Sequence, residues 1–216
     1  MSPSPPVRVT LADDHVMVRE ALSQILEASE TIEVVGQADD GAAALALIRE
    51  AKPDVAVLDY SMPKLDTLSI IEWVTKQAPE TKVVVLTVHE NLHYAVKVLE
   101  AGAHGFVVKS GAVQELVDAI RGVRDGEVYI SPKVSQKVLQ HLRAPKGRRG
   151  GVEDLSQREF ELLRALGAGS SLKECARHLN ITTSTASTYR SRLMEKLGLT
   201  TTAEIIRYAI DHDIVG

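Results

Sequence analysis

At 216 residues the chain is long for one small domain and comfortable for two. Its single cysteine, Cys175, excludes an internal disulfide framework, no apolar stretch nears the roughly 20 residues of a membrane span, and Met1-Ser2-Pro3-Ser4-Pro5-Pro6 lacks a signal-peptide pattern, so a cytoplasmic protein is expected. The net charge of −4 is uneven: residues 1–132 hold 11 Lys+Arg against 20 Asp+Glu (net −9), residues 133–150 hold 6 against 0 (+6), and residues 151–216 hold 8 against 9 (−1).

From Val7 to about Asp125, short β-branched runs alternate with stretches of helical period. The pattern predicts strands over Val7–Ala12, Glu33–Ala38, Val55–Asp59, Lys82–Thr87 and Gly105–Val108. Helices are predicted near Val16–Ala28, Gly41–Ala51, Thr67–Gln77, Leu92–Ala101 and Ala112–Asp125. Ala101-Gly102 and Ala51-Lys52-Pro53 supply helix stops of the expected kinds. Five βα units in succession predict an α/β domain with a five-stranded parallel sheet covered on both faces.

Val55-Ala56-Val57-Leu58-Asp59 is continuously apolar until its last residue, as a strand buried on both faces is. Asp59 therefore leaves the sheet at its carboxyl edge, where ligands bind in open α/β sheets. Asp13-Asp14 follow the first strand and reach the same edge. Carboxylates converging there resist ionisation unless a cation joins them, and Mg²⁺, which takes oxygen ligands, is the natural relief. Thr87 and Lys109 end the fourth and fifth strands and add a hydroxyl and an ammonium. Together these are the groups of a phosphoryl transfer: a carboxylate nucleophile, a metal, a hydrogen-bond donor and a cation. Singly, Asp59 reads equally as a turn cap, Asp13-Asp14 as a helix N-cap, Thr87 as a strand residue and Lys109 as a surface cation. Their recurrence at the ends of four strands favours a site. A dinucleotide pocket is excluded by the first loop, Asp13-Asp14-His15, which is not glycine-rich.

Asp13-Asp14, Asp59 with Met62-Pro63, Thr87, and Lys109 in Phe106-Val107-Val108-Lys109 together resemble the receiver domain of two-component response regulators over residues 7 to about 128. The resemblance implies a flavodoxin-like fold in which Asp59 accepts a phosphoryl group from a sensor histidine kinase. It further implies that Asp14 contacts Mg²⁺ directly, Asp13 through water, and the Ser61 backbone carbonyl completes the protein ligands. Thr87 and Phe106 match the pair that repositions on phosphorylation. Thr67 and Lys64 stand where the family has glycine, which predicts a stiffer loop after the third strand and an added ammonium beside the pocket. Haloacid-dehalogenase-like phosphatases also use a strand-end Asp but place a second Asp two residues later, where this chain has Ser61.

Beyond the sheet domain comes the basic stretch. Arg143, Lys146, Arg148 and Arg149, among Pro145, Gly147, Gly150 and Gly151, show no helical or strand period. They predict a flexible linker over 131–151, either a solvated tether or a non-specific contact with phosphate backbone. Three capping boxes follow: Ser156 with Glu159, Ser171 with Glu174 and Thr201 with Glu204. A further helix begins near Thr183 and stops at Gly198, so 152–216 reads as a compact four-helix domain. The stretch from Ser171 to Leu179, the turn Asn180-Ile181-Thr182 and the helix after it have the layout of a helix-turn-helix.

On that second helix Ala186, Tyr189, Leu193 and Leu197 share one face, while Ser184, Ser187, Thr188 and Ser191 share the opposite one, flanked by Arg190 and Arg192. Lys173, Arg177 and Lys196 add to a local basic cluster. A groove of duplex DNA or a partner protein would each accept such a face. Cys175 sits at a spacing that buries it.

Leu155-Ser156-Gln157-Arg158-Glu159, Gly169, Lys173-Glu174, Thr185 and Lys196-Leu197-Gly198 resemble the LuxR-type helix-turn-helix of the NarL/FixJ response regulators over about 153–214. The resemblance implies DNA contacts from Lys173, Ser184, Thr185, Ser187, Thr188, Arg190, Ser191, Arg192 and Lys196, and a homodimer contact through the last helix, Ala203–His212. The expected protein is thus a receiver over 1–130, a linker over 131–151 and an all-α DNA-binding domain over 152–216.

Overall fold

The computed structural model describes residues 5–88, 90, 92–111, 113–143, 151–212 and 214–215. The chain divides into two units, 1–141 and 142–216.

The first unit alternates β1 (Val7–Ala12), α1 (Val16–Glu27), β2 (Ile32–Ala38), α2 (Gly41–Ala51), β3 (Val55–Asp59), α3 (Thr67–Gln77), β4 (Lys82–Thr87), α4 (Leu92–Glu100), β5 (Gly105–Val108) and α5 (Val113–Arg124). All neighbouring strands run parallel, in the order β2-β1-β3-β4-β5-β6, where β6 is Tyr129–Ile130. This is the flavodoxin-like winding with one strand added at the edge. Helix α1 packs with α5, whereas α2, α3 and α4 pack in succession, and the central strands are accordingly apolar throughout: Val55, Ala56, Val57, Val83, Val84 and Val85 are fully buried.

The expected count of five strands is corrected to six. Strand β6 is only Tyr129–Ile130, paired with Gly105 and Phe106 of β5. Two residues carry no alternation, so the sequence gives no period to read. The expected linker over 131–151 is also corrected in its first part, because Pro132–Arg143 form a helix, α6. Val134 and Val138, one turn apart, are buried. Lys146, Arg148 and Arg149 of the same stretch lie outside the described residues.

In the second unit a 3-10 turn at Val152–Asp154 precedes α7 (Gln157–Gly167), α8 (Leu172–His178), α9 (Thr183–Leu197) and α10 (Thr202–Asp211). The three predicted capping boxes are formed in both directions at Ser156–Glu159, Ser171–Glu174 and Thr201–Glu204. Thr182 caps α9, and Gly198, at φ 67°, ends it in the left-handed conformation that glycine adopts most easily. Helix α7 packs on α9 and α10, and α8 on α9, around Phe160, Leu163, Cys175, Ala186, Leu193 and Ile205. Cys175 is fully buried as expected, and burial pushes its thiol up. Among the described residues, no helix is long and apolar enough to cross a membrane.

Candidate functional site

Strand register brings the acidic residues together. Ala12 pairs with Leu58, so Asp13 and Asp59 follow side by side at the carboxyl edge. The Lys109 backbone N–H donates to the Thr87 carbonyl at 2.6 Å, which fixes the fourth and fifth strand ends against each other. From there the Lys109 ammonium reaches Asp13 Oδ2 at 2.6 Å and Asp59 Oδ1 at 2.9 Å. Asp13 and Asp59 are buried, whereas Asp14 is partly exposed. Thr87 is buried beside them, Phe106 is buried within β5, and Ser61 is exposed two residues beyond Asp59.

Burial pushes the Asp59 carboxyl above the ordinary carboxylate value; Lys109 pulls the other way, and the charges of Asp13 and Asp14 push with burial. Burial pulls the Lys109 ammonium down, but its bonds to Asp13 and Asp59 outweigh this and raise its pKa. The cluster thus holds a charged lysine between acids whose mutual repulsion leaves room for more positive charge. Ligand atoms of Asp13, Asp14, His15 and Asp59 lie within 4.8 Å of one another. Three carboxylates in that compass fit a hard divalent ion such as Mg²⁺.

His15 is a member that sequence reasoning passed over. Its Nδ1 lies 2.6 Å from Asp14 Oδ1 and 3.4 Å from Asp13 Oδ1. Its adjacency to Asp13-Asp14 was the available signal. Lys64, expected to add an ammonium beside the pocket, has an acidic partner of its own. Its ammonium is committed to Asp40 Oδ2 at 2.5 Å, and Asp40 in turn caps α2 by accepting from the Ala43 N–H.

On α9 the predicted faces are observed. Ala186 and Leu193 are buried, Tyr189 and Leu197 half-buried, and Ser184, Ser187, Thr188, Ser191 and Arg192 exposed. The Thr188 and Ser191 hydroxyls donate back to the carbonyls of Ser184 and Ser187. Thr185 is half-buried with its hydroxyl against that of Thr182, so it serves the helix start. Arg190 donates to the Thr202 hydroxyl at 2.9 Å. Lys173 is exposed on α8.

Lys196 departs from the expected role. Its ammonium lies 2.7 Å from Glu159 Oε2 and 3.0 Å from the Asp154 carbonyl, tying α9 to the start of α7. A buried carboxylate must be paired, and this lysine is the pairing cation. Burial pushes Glu159 up, but the bonds from Lys196 and Ser156 outweigh it and hold the carboxyl below its ordinary value of 4.5. That stabilisation is fully present above the unfolded pKa and is lost as pH falls through the folded one. Lys196→Met is expected to destabilise the helical domain by about 1–2 kcal/mol at neutral pH. Amide-exchange protection in α7 and α9 reads this, and the difference from the native protein should shrink as the buffer is acidified below pH 4.5.

Residues 9–121 match the response regulator receiver domain family, and residues 153–209 match the luxR family of bacterial regulatory proteins. The chain is a response regulator. It is 38% identical over 217 residues to the transcriptional regulatory protein MctR of Rhizobium johnstonii, covering 100% of this chain and 98% of MctR. It is 34% identical over 209 residues to the response regulator GacA of Pseudomonas aeruginosa, covering 97% and 98%. It also resembles the structure of RcsB from Salmonella enterica serovar Typhimurium bound to promoter rprA in the presence of phosphomimetic BeF3⁻, with a TM-score of 0.64, 28% identity, and coverage of 94% of this chain and 98% of that one. The response regulator therefore joins a receiver domain, which holds the acidic cluster, to a LuxR-type DNA-binding domain, which holds the exposed face of α9.

A close approach supports the receiver site from one side. The Gly41 N–H donates to the Pro63 carbonyl at 3.1 Å, and a Cβ at Gly41 would lie 1.9 Å from the Leu65 carbonyl oxygen. Backbone cannot yield as a flexible side chain does. Gly41→Ala is expected to displace the loop after β3 and to lower the unfolding free energy of the receiver by about 1–3 kcal/mol, measured by denaturant titration.

Proposed function

We propose that Asp59 accepts a phosphoryl group from a sensor histidine kinase and that this modification switches a cytoplasmic regulator into a DNA-binding dimer. The observation that carries the reading is Lys109, held between Asp13 and Asp59 at the carboxyl edge of the sheet. An Asp59 oxygen attacks the phosphorus of a phosphohistidine; the new P–O bond forms as the P–N bond breaks, and the departing imidazole nitrogen takes a proton. Lys109 stands where the transferred oxygens gather charge, and the Thr87 hydroxyl is the nearby donor for one of them. Asp14, Asp13, Asp59 and the Ser61 carbonyl would hold Mg²⁺, which supplies positive charge against the carboxylates and the phosphoryl oxygens when bound. Burial keeps bulk water from the Asp59 carboxyl.

The phosphoryl group brings about −1.5 to −2 charges to this edge. Lys109 and Thr87 draw toward it, and Phe106 repacks within the sheet. A nearly complete switch requires about 5.5 kcal/mol of difference between the two states. In the output domain, α9 enters the major groove with Ser184, Ser187, Thr188 and Ser191 toward the bases. Lys173, Arg190 and Arg192 contact phosphates, and α10 joins two copies on paired half-sites. Thr185 and Lys196, whose polar groups are engaged within the domain, support the helix from behind. The relatedness to RcsB, whose structure was determined bound to a promoter with a phosphomimetic, supports this reading.

Incubation of the full chain with acetyl phosphate and Mg²⁺ tests it. A single acyl-phosphate label per chain is expected, taken up and slowly lost by hydrolysis at Asp59 alone, with no turnover of phosphate monoesters. Continuous turnover of a free phosphoester would instead make the protein a phosphatase.

A further inference from the structure

The loop between β3 and α3 carries Ser61 past the acidic cluster, and its ends are drawn together by one side chain. The Thr67 hydroxyl donates to the Asp59 backbone carbonyl at 2.7 Å, and both residues are buried. Asp66 is already the cap of α3, accepting from the Ser69 N–H. The Thr67 hydroxyl is therefore not needed to begin the helix, and it turns back to the strand instead. On the other flank, the Tyr60 N–H donates to the Leu86 carbonyl at 2.8 Å.

The middle of the loop is held separately. Gly41 binds the Pro63 carbonyl, the Leu65 N–H donates to that same carbonyl at 2.9 Å, and Lys64 is tied to Asp40. Lys64 adopts φ 68°, a left-handed conformation that glycine reaches without strain, so its ion pair holds a backbone turn that its side chain disfavours. Both positions at which the chain departs from the glycine-rich family pattern thus carry a contact that glycine cannot make.

We propose that Thr67 is a positioning residue for Asp59. Its hydroxyl fixes the main chain at the acceptor and sets the course of the loop that bears the Ser61 carbonyl. The carboxylate and that carbonyl must converge on one metal, and small displacements of reacting groups are costly in rate. The inference rests on Asp59 being the phosphoryl acceptor. It adds that this chain holds its acceptor through a side-chain brace.

Thr67→Val removes the hydroxyl at nearly constant volume, and Thr67→Ser keeps it. Mg²⁺ affinity of the full chain is measured by calorimetry with MgCl₂, and the rate of phosphoryl uptake is measured over a range of acetyl phosphate concentrations. Thr67→Val is expected to weaken Mg²⁺ binding and to slow uptake at saturating donor by about tenfold, while Thr67→Ser restores both to within about twofold. Where Thr67→Val does not fold, Thr67→Gly, the residue of the family pattern, takes its place. Native Mg²⁺ affinity and uptake in the variant that lacks the hydroxyl would overturn the proposal, and so would a serine variant as impaired as valine. Absence of any label on native protein would fell the acceptor reading, while the Mg²⁺ titration would still decide the role of Thr67.

Discussion

Asp59→Asn is expected to abolish phosphoryl labelling by acetyl phosphate and Mg²⁺ while raising the thermal unfolding midpoint in metal-free buffer. The two effects have one cause. Asn keeps the shape of the side chain and an oxygen for Lys109, but an amide is no nucleophile toward phosphorus. The native carboxyl, meanwhile, is raised above its ordinary value of 3.8 by burial and by its acidic neighbours. A group raised in the folded state contributes stability below its unfolded pKa, and this is lost as pH rises through the folded value. At neutral pH the charged Asp59 therefore weighs against folding in the absence of metal, and neutralising it relieves the strain among Asp13, Asp14 and Asp59. Active sites commonly trade stability for chemistry in this way. Label retained on the variant, or an unfolding midpoint clearly below that of the native protein, would count against the assignment.

The second large effect is expected at the other end of the chain. Arg190→Ala with Arg192→Ala should weaken DNA binding and reduce the log–log salt slope by about 2, since each phosphate contact contributes about 0.9. Arg192 is exposed, and Arg190 is anchored to Thr202 at 2.9 Å, which places its guanidinium between α9 and the start of α10. A single Thr202→Val variant separates loss of the anchor from loss of the charge. Ser187→Ala and Thr188→Ala, by contrast, should alter which sequences are preferred and leave the slope unchanged. An unchanged slope in the arginine double variant would show that neither arginine contacts phosphate.

Residue pattern carried most of the fold because each signal was local. The strand ends at Asp59, Thr87 and Val108 coincide with the last residues of apolar runs, and each capping box is complete within four residues. Contacts between distant positions were not legible. Lys196 meets Glu159 across 37 residues, and Lys64 meets Asp40 across 24. From sequence alone, each lysine reads only as a charge. Helix α6 was legible in its apolar spacing, Val134, Val138 and Leu142 with Leu139, but the six basic residues of 133–150 and the Pro and Gly that follow it drew the whole stretch into the linker reading. The Thr67 bond was hidden for another reason: its acceptor is a backbone carbonyl, which every residue has.

The central claim is that charge placed on Asp59 controls binding by α9. Duplexes selected from random sequence by the phosphorylated full chain should be titrated, at one fixed salt concentration, with phosphorylated native protein, unphosphorylated native protein and Asp59→Asn. Tight, sequence-selective binding by the first alone is predicted. Equal affinity of all three would contradict it.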